Sequence, residues 1–166
     1  MIVRSFAPIA APDAHTLILG SMPGVASLEA REYYAHPRNA FWPIMGALFS
    51  AGPDLPYAER VARLMANGVA VWDVLQSCKR EGSLDANIHA EVPNNFSAFF
   101  ARHQNIRCIG LNGGNAATSF RTHAASKLPV GASVRLLPSS SPAHAARSLE
   151  QKCALWHSAL IGQVLP

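Results

Sequence analysis

The densest set of chemically useful side chains lies between positions 33 and 42, where Tyr33, Tyr34, His36, Pro37, Arg38, Asn39, Phe41 and Trp42 crowd together. Aromatic faces stack on planar rings such as nucleobases. An Asn amide orients water or reads a base edge. Such residues are costly in a loop unless they line something. Asn39 also stands where it would cap a following helix, and Trp42 reads as a core residue of that helix. A second stretch, Gly20, Ser21, Met22, Pro23 and Gly24, has the Gly/Pro content of a sharp backbone turn that brings main-chain groups against a ligand. The third, Pro138, Ser139, Ser140, Ser141, Pro142, Ala143 and His144, offers three hydroxyls and free backbone N–H groups. Placed at a helix N-terminus, with Arg147 one turn on, it makes an anion site able to hold a DNA phosphate. A solvated, capped Ser/Pro loop is the alternative.

The elements around these stretches put each at a strand end. Four short apolar runs read as buried strands: Thr16–Gly20, 69–74, 106–111 and Ser133–Leu137. Helical periodicity marks 39–49, Tyr57–Ala66, 95–102, 115–124 and 144–161. The alternation predicts an α/β fold, a three-layer α/β/α sandwich around a four-stranded, mainly parallel sheet. Ligands bind such sheets at the carboxyl ends of the strands. The loops expected there are 21–38, 75–94, 112–115 and 138–143, the first two long enough to suggest function.

At 166 residues the chain is expected to form a single domain, 1–166, and 49% hydrophobic content supplies its core. A net charge of +4 and a pI near 9.3 suit an acidic partner such as nucleic acid, although a small basic excess is weak evidence by itself. Three scattered cysteines, Cys78, Cys108 and Cys153, argue against a disulfide framework, a zinc site or an iron–sulfur cluster, so no metal or cofactor is expected. They suit a reducing, cytoplasmic compartment. No signal peptide or membrane-spanning run is visible, and a monomer is expected.

Together the three stretches resemble the uracil-DNA glycosylase superfamily, most closely its hypoxanthine-DNA (deoxyinosine) glycosylase branch. Residues 20–24 stand at its first motif and 139–142 at its second, and 36–42 resemble a segment shared with mismatch-specific uracil and thymine glycosylases. The match spans nearly the whole chain. It departs from many relatives in carrying Ser21 and Met22, with no acid, in the first motif, and no leading His in the second.

The resemblance moves the catalytic role to Asn39, which would hold water against the sugar. It makes Gly20, Ser21, Met22, Pro23 and Phe41 substrate-binding, with Phe41 stacking on the base. Arg38, Ser139, Ser140, Ser141, Pro142, His144 and Arg147 would contact DNA. Asp73 either accepts from N1–H of hypoxanthine or orders the following loop. Asn112 either faces the pocket or permits the Asn-Gly turn. Residues 78–88 are read as a loop near DNA or a solvated surface.

The implied activity is that of a monofunctional glycosylase excising a deaminated base, hypoxanthine above all. Since no lysine falls in these motifs, no lyase activity is expected. Uracil or mismatch glycosylase activity, and a non-catalytic nucleic-acid-binding relative, are the alternatives.

Overall fold

The computed structural model describes residues 1–162. The first half of the chain forms β1 (Ile2–Arg4), β2 (Thr16–Gly20), α1 (Val25–Ala30), α2 (Phe41–Phe49), α3 (Tyr57–Ala66), β3 (Val69–Asp73) and β4 (Leu75–Lys79). Then come β5 (His89–Pro93), α4 (Phe96–Arg102), β6 (Cys108–Asn112), α5 (Gly114–His123), β7 (Ser133–Leu137) and α6 (Leu149–Leu160).

Four strands make a parallel sheet in the order β3-β2-β6-β7. The side-chain alternation of a strand divides the core between its two faces. Leu17 and Leu19 of β2, Ala70 and Trp72 of β3, and Ile109 and Leu111 of β6 pack with Phe96, Phe99 and Phe100 of α4 and Phe120 of α5. Ile18, Val69, Val71 and Cys108 point the other way, onto Phe41, Ile44 and Met45 of α2, Leu64 of α3, and Trp156 and Leu160 of α6. This is the three-layer α/β/α arrangement expected from the alternating pattern.

From β2 the chain moves outward to β3, and from β6 it moves the opposite way to β7. The connections therefore diverge between β2 and β6, which opens a crevice at their carboxyl ends.

Several sequence expectations need correction. Residues 75–94 are not a loop: β4 and β5 form an antiparallel hairpin, and β1 completes a second, three-stranded sheet in the order β1-β4-β5. Every residue of β5 is exposed, so it carries no apolar period to read. Residues 25–30, expected within a loop, form α1. The final helix begins at Leu149 rather than 144, because Ser148 and Gln151 form a capping box. The Ser148 hydroxyl accepts from the Gln151 N–H at 3.1 Å, and the Gln151 side chain accepts from the Ser148 N–H at 2.8 Å.

Candidate active site

A cavity of about 550 Å³ fills the crevice at the carboxyl ends of β2 and β6. Its floor is set by Gly20, the last residue of β2, which is paired with Asp73, the last of β3. A Cβ on Gly20 would stand 2.6 Å from Asp73 Oδ1 and 2.9 Å from the Tyr34 hydroxyl, so only glycine leaves both polar groups in place. Tyr34 occupies the left-handed region at φ 55°, a backbone state uncommon for a bulky residue. Its ring lies on Phe41 with centroids 4.0 Å apart and planes 18° from parallel. Burial and the nearby Asp73 carboxyl push the Tyr34 phenol well above its usual range, so the hydroxyl keeps its proton.

Asp73 is buried, and its Oδ2 meets no hydrogen-bond partner. Burial pushes its pKa up to about 7; the Asp85 carboxyl adds to the rise and the Arg80 guanidinium opposes it. The loop-ordering alternative would require bonds from this carboxylate to backbone N–H groups, and none is present among the described residues. Asp73 lines the cavity, and a buried carboxyl there with no bond from a backbone N–H is suited to accept from a ligand.

Asn112 joins β6 to the Ser/Pro loop. Its amide donates to the Ser140 hydroxyl at 2.9 Å and to the Tyr34 hydroxyl at 3.2 Å, and its carbonyl accepts from the Ser140 N–H at 2.9 Å. The Ser140 carbonyl in turn accepts from the Ala40 N–H at 2.9 Å. Ser140 is only 1% exposed, so this node holds two walls of the cavity together from inside. Gly113 adopts φ 91°, where a Cβ would stand 2.9 Å from that of Ser139.

Asn39 lines the cavity just ahead of α2. Its Oδ1 accepts from the Phe41 N–H at 2.9 Å. Helix α2 itself is capped at Ala40, so Asn39 is not its N-cap. The bond fixes which way the amide points, and a carbonyl oxygen has a second lone pair for water.

Across the mouth runs the segment between β4 and β5. Arg80, 2% exposed, reaches back from β4 to donate to the Gly82 carbonyl at 2.7 Å and the Pro23 carbonyl at 2.6 Å. Ser21 donates to Asp85 at 3.0 Å, and the Val25 N–H donates to Ser83 at 2.8 Å. The turn after β2 and the rim opposite are therefore clamped together.

Of the residues singled out by sequence, the cavity is lined by Gly20, Ser21, Met22, Pro23, Asn39, Asp73 and Asn112. Ser139, Ser140, Ser141, Pro142 and His144 line it from the other side. Three lie elsewhere. Phe41 is wholly buried and absent from the lining, because Tyr34 covers it; direct stacking of a base on Phe41 is excluded in this arrangement. Arg38 is exposed and outside the lining. Arg147 borders an adjoining groove with Leu136 and Leu155. The expected anion site at a helix N-terminus is also corrected, since seven residues separate Ser140 from Ser148, the cap of α6.

Tyr34 was not among the expected site residues, and residues 83–86, within the stretch read as a loop near DNA or a solvated surface, line the cavity. Among the described residues no group of three or more His, Cys, Asp or Glu could hold a metal ion. No helix among them is long and apolar enough to cross a membrane.

Comparison with known proteins gives a consistent set. The sequence profile of the uracil DNA glycosylase superfamily matches residues 7–160. A hypoxanthine DNA glycosylase of Methanosarcina barkeri (strain Fusaro / DSM 804) is 33% identical over 159 residues, 94% of this chain and 96% of the relative. A protein of the same description from Methanosarcina acetivorans is 33% identical over 145 residues, 87% and 89% of the two chains. A solution NMR structure from Methanosarcina acetivorans, assigned as a candidate uracil DNA glycosylase, superposes with a TM-score of 0.77 at 30% identity, covering 92% of this chain and 94% of that one.

Proposed function

The chain belongs to the uracil DNA glycosylase superfamily, and on that premise we propose that it excises deaminated bases from DNA, hypoxanthine foremost, initiating base excision repair. The observation that carries this reading is the meeting of Asn39, Tyr34 and Asp73 on one cavity of base-accommodating size. The two relatives named as hypoxanthine DNA glycosylases support the choice of base.

The target nucleotide leaves the stack at a cost of a few kcal/mol, less when it is mispaired. The flipped base enters between Tyr34 and the turn at Ser21 and Met22. Ionised Asp73, at the cavity edge, accepts from the lactam N1–H of hypoxanthine. Adenine has no proton at N1 and meets lone-pair repulsion there. Backbone groups of residues 20–23 complete the edge, while the Ser139–Ser141 side of the cavity faces the phosphate and sugar.

Cleavage of the C1′–N9 bond passes through an oxocarbenium-like sugar, by analogy with other glycosidic hydrolyses. The bonding pair departs with the base, whose lactam spreads the charge. Asn39 does not titrate, so it is no ordinary general base. Its carbonyl, oriented by the Phe41 N–H, holds water against C1′ and stabilises the cation by its dipole. Water adds to C1′ and releases its proton to solvent or to the departing base. No lysine lines the cavity, so hydrolysis proceeds without a Schiff base and without strand cleavage. Every group invoked belongs to one chain, so a monomer suffices.

The test is base release from matched duplexes carrying inosine, uracil, xanthine or a thymine mismatch. Inosine is expected to react fastest. Asn39→Ala should slow it by roughly a hundredfold or more with an unchanged fold by circular dichroism. A preference for uracil or thymine mismatches would replace the hypoxanthine assignment, full activity of Asn39→Ala would remove its catalytic role, and binding without release would leave a non-catalytic relative.

A further inference from the structure

The Tyr34 hydroxyl carries one proton, and the bonds around it limit where that proton goes. The Ser140 N–H can only donate, so the Asn112 atom facing it at 2.9 Å is the side-chain carbonyl oxygen. That fixes the amide. Its nitrogen faces the Ser140 hydroxyl at 2.9 Å and the Tyr34 hydroxyl at 3.2 Å. An amide nitrogen donates, so the Tyr34 oxygen accepts and its own proton is left for another partner. Among the described residues no acceptor takes it. Burial keeps the phenol protonated, and the bond from Asn112 makes it a stronger donor.

Beside this donor stands an acceptor. A single point above Gly20, where a Cβ would sit, lies 2.9 Å from the Tyr34 oxygen and 2.6 Å from Asp73 Oδ1. Gly20, Tyr34 and Asp73 all line the cavity. A donor next to an acceptor matches a ring carbonyl next to an N–H. Deamination creates that edge: adenine shows a bare N1 beside an amino group, and hypoxanthine shows N1–H beside C6=O. Cytosine and uracil differ in the same way.

We propose that the Tyr34 hydroxyl donates to the exocyclic carbonyl of the flipped base, O6 of hypoxanthine, reading deamination together with Asp73 and stabilising the departing base. This rests on the glycosylase reading above. As the C1′–N9 bond breaks, its electron pair moves onto the base and part of the charge reaches O6, where the hydroxyl donates. No proton is transferred in that step. Adenine places an amino group there, which gives the hydroxyl nothing to bond.

Tyr34→Phe keeps an aromatic ring against Phe41 and removes only the hydroxyl. The experiment measures single-turnover base release from duplexes carrying inosine or its C6 thione analogue, which keeps N1–H but accepts weakly at sulfur. Tyr34→Phe is expected to lose roughly a hundredfold against wild type on inosine and little on the thione. Comparing the two proteins on each substrate cancels the difference in leaving group. A second readout needs no turnover. In isotope-edited infrared spectra, the C6=O stretch of hypoxanthine bound beside abasic DNA should lie lower in wild type than in Tyr34→Phe. Should Tyr34→Phe unfold, a ring-fluorinated tyrosine at position 34, a stronger donor of nearly the same shape, is expected to lower that stretch further. Equal loss on both substrates marks a structural role and overturns the proposal, as does full activity on inosine or an unmoved carbonyl stretch. Wild-type protein that releases no base from either substrate fails the glycosylase reading instead.

Discussion

Asp73 concentrates the site's electrostatics in one carboxyl group. Its pKa rises from an ordinary 3.8 to about 7. Between those values the native state holds a proton that the unfolded chain releases, so raising the pH through this window lowers stability, and the loss levels off above the folded value. Asp73→Asn is therefore expected to raise stability near pH 8, by on the order of a few kcal/mol at most, and so to raise the melting temperature there, with much less effect near pH 4. Thermal melts at the two pH values measure this. In the proposed reaction the ionised form reads the base, so kcat/KM on inosine DNA should climb through about pH 7 and flatten in Asp73→Asn. A variant profile that still climbs through the same pKa would separate Asp73 from recognition.

At the scale of single elements, the capping box of α6 makes a sharp prediction. Ser148→Ala removes one of two reciprocal bonds and should cost about 1 kcal/mol in urea unfolding, while base release stays near wild type because the helix start lies away from the cavity.

What was legible in the sequence follows from how each element announces itself. The four parallel strands were readable because Leu17–Leu19, Val69–Val71 and their partners are buried on both faces and leave unbroken apolar runs. Strand β5 was not, since pairing with β4, rather than burial, makes it a strand. The start of α6 was misread because Ala145 and its neighbours extend the helical pattern, and only the Ser148–Gln151 pair marks where the hydrogen bonds begin.

Across the molecule, the candidate site was legible to the extent that motifs sit at strand ends. Asn39, Asp73 and Asn112 were found because β3 and β6 deliver two of them to one edge and α2 delivers the third. Depth was not legible. Phe41 and Tyr34 are both aromatic members of one stretch, and only three-dimensional packing decides which faces the cavity and which lies beneath. Phe41 touches Trp42 and Trp156 as well as Tyr34, joining α2 to α6 behind the cavity floor. Phe41→Ala should destabilise the fold by roughly 3–5 kcal/mol. Phe41→Leu should keep most activity below its melting temperature, a result that loss of a direct base contact would not allow. Denaturant melts paired with base-release rates decide between them.

The node at Ser140 has a consequence for how the enzyme comes into being. It is a late-made piece of the cleft, and it binds Asn112 and Ala40, residues synthesised long before it. A chain emerging from the ribosome therefore passes most of its synthesis with the outer strand β7 and the latch behind it still missing. Until then the turn after β2 and the rim opposite can be clamped through Pro23, Ser21 and Val25, while Ala40 and Asn112 lack the residue that links them. The complete cleft should therefore form only late in synthesis.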